Sequence, residues 1–314
     1  MARFGPLGPV ATVASAVGER VTRARAGYRS VDAPDGWAHT PTEALIVTTE
    51  DGVALHVEID APDTTSLSRR HLAGRTPTVV LVHGFALTMQ SWVLQRRSLK
   101  HSGFRVVSYD QRGHGRSGMP DLERCTIDQL GRDLAAVLDA TCTSGPVVLV
   151  GHSMGGMTIM SYAGQHRDVV RDRVLAVALV STSPGGDEMT EFGLGTTAGR
   201  VVGSFGPTVL TRLSRHAGPI GALRKMGKGV QDAAVQRWAF DSPVSTDLVQ
   251  LVGDMIFGTS FDVMAAFLPD MDALDISGAL TALVGVETLV INGDGDLLTP
   301  PSHSEEIVRR IPGA

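Results

Sequence analysis

The run Val147-Val148-Leu149-Val150 leads directly into Gly151-His152-Ser153-Met154-Gly155-Gly156, which sets a serine in a turn flanked by glycines. A sharp turn from strand to helix presents a serine hydroxyl at the edge of a sheet. It requires small residues two places before and two places after the serine, because the backbone folds tightly there. Gly151 and Gly155 hold those places, an apolar strand precedes them, and the helix-compatible stretch Met157 to Ala163 follows. Ser153 is therefore the candidate nucleophile, and the chemistry is acyl transfer. That reaction also needs a base, a group that orients the base, and donors for the oxyanion.

Oxyanion donors are expected from the backbone amide after the nucleophile, Met154, and from one in the loop after an earlier strand. Val82-His83-Gly84-Phe85 supplies that loop, with Gly84 letting the Phe85 amide turn inward. His83 is read as a brace of the loop rather than as the base. The orienting acid belongs just past a late strand, where Asn292-Gly293-Asp294-Gly295-Asp296 stands. Asp296 is preferred there, with Asp294, Asp187 and Glu188 as alternatives.

Those residues need a scaffold, and the pattern supplies one from about residue 41. Ala44 to Thr49 and Ala54 to Ile59 flank Asp51-Gly52, which reads as a hairpin. Continuous apolar runs follow at Val79–Val82, Val106–Tyr109, Val147–Val150 and Val174–Val180, the signature of strands buried on both faces. Helical stretches such as Ile127 to Ala140 lie between them, so a mostly parallel sheet with right-handed crossovers is expected. After Ser181-Thr182-Ser183-Pro184 the rhythm breaks until Thr288-Leu289-Val290-Ile291. The gap reads as a helical lid over residues 187–270, dividing a core of residues 41–186 from its second part, 271–314. Met226, Met255, Ile256, Phe257, Met264 and Phe267 either face the site or form the lid's own core.

Composition narrows the class. The chain has 314 residues, 43% of them hydrophobic, and a formal charge of −5, with no Lys/Arg cluster to suggest a nucleic-acid partner. No apolar run reaches transmembrane length. Cys125 and Cys142 lack metal-ligand spacing and read as reduced packing residues of a cytoplasmic protein. No phosphate-binding loop or zinc-spaced set occurs, so neither cofactor nor metal is expected. Residues 1–40 form an extension in which Val10, Val13, Val17 and Val21 recur at helical spacing beside Arg20, Arg23 and Arg25. That is the pattern of a docking helix, with membrane-surface contact or a cleaved signal as alternatives.

From about residue 41 onward the chain resembles the α/β-hydrolase family. The motifs are His83-Gly84-Phe85, Asp110-Gln111-Arg112-Gly113-His114-Gly115-Arg116-Ser117, Gly151 to Gly156, and Gly293-Asp294-Gly295-Asp296 with Pro300. The resemblance implies that the Asp110–Ser117 loop packs structurally, that His114 and His152 are not catalytic, and that His303 lies on a helix surface. It also implies a histidine after an eighth strand. By that measure the final strand and helix are missing, the histidine falls beyond Ala314, and these 314 residues by themselves are inactive. The expected activity is ester hydrolysis of a small or acyl-chain apolar substrate through an acyl-enzyme on Ser153. Lactonase, perhydrolase-like or carbon–carbon bond hydrolysis, and a noncatalytic protein holding an apolar ligand, are the alternatives. Phe85 to Trp92 resembles the corresponding loop of small esterases and cofactor-free haloperoxidases.

Overall fold

The computed structural model describes residues 36–63, 76–186, 228–240, 242–296 and 298–314. The N-terminal segment expected to be helical, the run from Val209 to Leu213, Met226, Asp187 and Glu188 lie outside the described residues. The Asp-Gly turn joins β1 (Glu43–Thr48) to β2 (Ala54–Asp60) as an antiparallel pair, with Gly52 at φ +86° closing it. β3 (Thr78–Val82), β4 (Arg105–Tyr109), β5 (Val147–His152), β6 (Val174–Val180) and β7 (Glu287–Ile291) complete a sheet in the order β1-β2-β4-β3-β5-β6-β7. From β4 across to β7 all pairings are parallel.

Helices fill the crossovers: α1 (Val93–His101), α2 (Ile127–Thr141), α3 (Met154–Gln165) and the short α4 (Arg167–Arg173). Thr126 caps α2 by accepting a hydrogen bond from the Gln129 amide at 3.1 Å. Leu130, Leu134, Val137 and Leu138 then form its buried stripe against the main core. The described lid helices are α5 (Lys228–Ala239), α6 (Thr246–Gly258) and α7 (Phe261–Asp272).

β3 and β4 are buried along both faces, as continuous apolar runs dictate, but β5 and β6 are fully buried on one face only and β7 on neither. Val148, Val150 and Val180 are half-buried, and Leu289 is 51% exposed on the same side. The apolar cluster on that face gathers around Trp92 and Phe104 over β3 and β4, and it reaches Val148, Val150 and Val180 only at its edge. Among the described residues no single helix is long and apolar enough to cross a membrane.

The C-terminal expectations require correction. The sheet does not lack its closing elements: β7 pairs with β6 over five residues, and α8 (Pro301–Arg310) follows it. Ile307 and Ile311 are buried in the main core beside Leu280 and Leu283. A histidine also follows the acid within these residues, because His303 is on α8 and only 4% exposed, not on the helix surface. The inference of an inactive chain rested on there being no such histidine and falls with it.

The loop after β4 is held by charge. Arg112 is fully buried and binds both oxygens of Asp133 on α2 (2.6 and 2.7 Å) and both of Asp51 in the hairpin turn (2.9 and 3.0 Å). Arg112 holds the Asp51 carboxyl well below its ordinary range, so this stability is present above that range and is lost as pH falls through the lowered value. Removing the guanidinium leaves the buried Asp133 carboxylate without an ion-pair partner and leaves Asp51 only Arg124 at 3.8 Å. Arg112→Ala is expected to cost about 3–5 kcal/mol, measured by chemical denaturation at pH 7.

Candidate functional site

Three glycines press the start of α3 onto the sheet. A Cβ on Gly155 would sit 2.3 Å from the Val82 carbonyl oxygen, one on Gly151 would sit 2.4 Å from the Gly155 oxygen, and one on Gly156 would meet Thr182 Oγ1 at 2.5 Å. Between them Ser153 adopts φ +51°, ψ −120°, a backbone conformation that costs an L-residue about 1–3 kcal/mol. Its amide donates to the Val180 carbonyl (3.0 Å), and its carbonyl accepts from the Gly156 amide and from Thr182 Oγ1 (2.8 and 2.7 Å). The Ser153 hydroxyl makes no hydrogen bond among the described residues, and the side chain is half-buried at the sheet edge.

The two candidate oxyanion donors are also free. Met154 is the first residue of α3, where helix geometry leaves amides without intrahelical acceptors. Neither its N–H nor that of Phe85 meets an acceptor among the described residues. A buried relay ties the segments that carry them. Thr158 Oγ1 donates to Gln111 Oε1 or to the Met154 carbonyl, each at 2.9 Å. The Gln111 side chain donates to the His83 carbonyl at 2.7 Å, and its amide donates to His83 Nε2 at 2.9 Å. The His83 Nδ1–H then donates to the Gly84 carbonyl at 2.8 Å. Both ring nitrogens of His83 are thus engaged, and burial lowers its pKa to about 4, which fits a brace and not a base.

His114 is engaged in the same way. Its Nδ1 donates to the Arg112 carbonyl (2.9 Å) and its Nε2 accepts from the Ala86 amide (3.3 Å), while burial lowers its pKa to about 3. Ala86 itself is held at φ +58°, a left-handed conformation costing roughly 1–2 kcal/mol. Asp110 fixes the far side of the loop by accepting from the amides of Met89 (2.8 Å) and Arg116 (2.9 Å).

Past β7, Asp296 is half-buried and its carboxylate is oriented by its own turn. Oδ1 accepts from the amides of Leu298 (3.0 Å) and Thr299 (2.9 Å), and Oδ2 accepts from Thr299 Oγ1 (2.9 Å). Asp294 is exposed. The ring of His152 lies against Gly84, where burial lowers its pKa and the nearby Asp296 charge raises it. His303 stands on α8, seven residues after Asp296. Both its ring nitrogens are buried without a hydrogen-bond partner among the described residues, and it lines a cavity of about 310 Å³ with Gly185, Asp275, Ser277 and Glu306. No hydrogen bond joins Ser153 to either histidine.

Two of the lid's apolar residues, Met255 and Phe267, are buried, and Phe267 packs on His114 with ring centroids 5.9 Å apart. Thr158, Thr182, Ala86 and Thr259 were not singled out by sequence. Thr158 carried a faint signal, four residues along α3 from Met154; the others are brought in from distant segments.

The alpha/beta hydrolase fold family model matches residues 77–314, which takes in every element from β3 to α8. The chain belongs to this family. It is similar to a non-heme haloperoxidase of Rhodococcus erythropolis, at 26% identity over 79% of this chain and 85% of the relative. It is also similar to the sn-1-specific diacylglycerol lipase ABHD11 of Mus musculus, at 28% identity over 76% of this chain and 72% of the relative. Among solved structures, a thermophilic esterase from Thermogutta terrifontis aligns with a TM-score of 0.61 and 26% identity, over 87% of this chain and 88% of the other.

The buried histidines of this hydrolase set a sign for its pH response. His83 and His114 are neutral when folded but take up protons near the ordinary value of 6.5 when unfolded. The unfolded state therefore binds more protons below that pH, and stability falls as pH drops from 6.5, levelling off below the lowered values. Urea midpoints measured between pH 7 and pH 4 should decline steadily, and His114→Gln, though less stable, should show a shallower decline.

Proposed function

We propose that this protein is a serine hydrolase that cleaves carboxylic esters of small or acyl-chain apolar substrates. The observation that carries the reading is the conformation of Ser153: a positive φ among close glycine contacts, with a hydroxyl, and the Met154 and Phe85 amides, that meet no partner among the described residues. A protein that only held an apolar ligand would have no use for that strain. The printed activities of the mouse lipase and the thermophilic esterase support the ester class.

In the proposed reaction Ser153 Oγ attacks the ester carbonyl carbon while its proton passes to an imidazole. The carbonyl π electrons move to oxygen, and the Phe85 and Met154 amides hold that oxyanion. Collapse expels the alcohol, which takes the proton from the imidazolium. Water then repeats the sequence on the acyl-enzyme, freeing the acid and Ser153. Asp296 stabilises the imidazolium. His152 is the described histidine whose charge Asp296 favours, and His303, unpartnered on the helix after the acid, is the second candidate. Hydrogen bonds to a base often form only when substrate is bound, so the absence of one to Ser153 among the described residues rules out neither. The free, buried thiols of Cys125 and Cys142 support a cytoplasmic, reducing location.

Hydrolysis of p-nitrophenyl esters of increasing acyl length tests the reading. Ser153→Ala should abolish turnover above the oxyanion-hole background, a loss on the order of a millionfold by analogy with serine proteases. Of His152→Ala and His303→Ala, the one that removes the histidine ionisation from the kcat/KM profile identifies the base. Turnover unchanged in Ser153→Ala would refute the mechanism.

A further inference from the structure

The loop that carries the Phe85 amide is gripped from two sides, and one side belongs to the lid. Thr259 stands at the break between α6 and α7 and is 3% exposed. Its hydroxyl is shared between the Met255 carbonyl one turn back (3.1 Å) and the Ala86 carbonyl (3.2 Å), across 173 residues of sequence. The amide of the same residue, Ala86, is taken by His114 Nε2 (3.3 Å). The single residue after the candidate oxyanion donor thus has its N–H held by the core and its C=O held by the lid. It is also the residue with φ +58°, a conformation alanine does not keep unless its surroundings impose it.

The lid end of this grip is itself anchored. Val263 on α7 closes over Gly113, where a Cβ would lie 2.7 Å from Val263 Cγ1. Phe267, one turn further, packs on His114, which in turn meets the Phe85 ring edge-on at 6.5 Å. Lid, His114 and the 84–87 turn are therefore one packed unit.

We propose that Thr259 is a positioning residue that couples the lid to the oxyanion site: its bond to the Ala86 carbonyl holds the Ala86–Leu87 peptide, and with it the left-handed turn that immediately follows Phe85 and sets the direction of its N–H. Release of this bond lets Ala86 relax toward negative φ, and the change passes back through the Phe85–Ala86 peptide to shift the Phe85 N–H from the place where the oxyanion forms. The proposal rests on the ester-hydrolase reading for its catalytic consequence but not for the grip itself. A misplacement of about 1 Å in such a site costs up to roughly a hundredfold in rate.

The test compares Thr259→Val, which keeps shape and loses the hydroxyl, with Thr259→Ser, which keeps the hydroxyl. With p-nitrophenyl acetate, Thr259→Val should lower kcat by roughly 10- to 100-fold with KM little changed, and Thr259→Ser should restore most of it. Hydrogen–deuterium exchange reads the grip without reference to activity: the Phe85–Leu87 segment should exchange several-fold faster in Thr259→Val, with β3 and β5 unchanged. Unchanged exchange there would overturn the proposal even if the enzyme is active. Equal kcat losses in both variants, accompanied by faster exchange throughout the core, would also overturn it by showing a merely structural role. Faster local exchange in a protein whose wild type cleaves no ester would uphold the grip while the ester reading fails.

Discussion

The site depends on one close approach, the backbone of Gly155 against the carbonyl oxygen of Val82. No side chain fits in that gap, since even a Cβ would come within 2.3 Å. With the gap closed, the first turn of α3 sits on the end of β3, and the chain between β5 and α3 has too little length to turn in an ordinary conformation. The strain is concentrated in Ser153, which projects its side chain from the sheet edge with nothing local to bind it. The same approach brings the free amide at the start of α3 alongside the loop that leaves β3.

What remains is to keep that loop in place, and the molecule does so with buried polar groups. Thr158, Gln111 and His83 are all fully buried, and their hydrogen bonds run from α3 through the β4 loop to the β3 loop. Such a network is costly when incomplete, so it selects one geometry. Arg112 performs the parallel task for the loop as a whole by joining it to α2 and to the β1–β2 turn. The histidines in these loops are neutral structural donors and acceptors, which leaves acid–base work to imidazoles nearer Asp296.

The parts legible in the sequence were those set by neighbours in the chain. The hairpin follows from Asp51-Gly52, the parallel strands from runs of valine and leucine, and the turn at Ser153 from glycines two residues away on either side. The parts that were not legible depend on what packs from elsewhere. The family resemblance puts His303 on a helix surface, and its polar neighbours Ser302, Ser304 and Glu305 give no local signal to the contrary. Its burial comes from the cavity wall at Gly185 and Asp275, although His303, Ile307 and Ile311 recur every four residues and mark the inward stripe of α8. The family's strand order places a histidine beyond Ala314, whereas a buried histidine, His303, already lies seven residues after Asp296. The one-sided burial of β5 and β6 and the partial exposure of β7 were also hidden, because an apolar run states only that both faces are apolar and not what covers them. Phe267 could be assigned to the site or to the lid's own core, and it lies on His114, between the lid and the loop it grips.

The most direct test of the central claim, that the strained turn makes Ser153 a nucleophile, is to treat the folded protein with a fluorophosphonate and map the adduct by peptide mass. A single adduct is expected on Ser153, and none after heat denaturation, when the turn no longer exists. Failure of the folded protein to react, or an adduct on another residue that persists in Ser153→Ala, would contradict it.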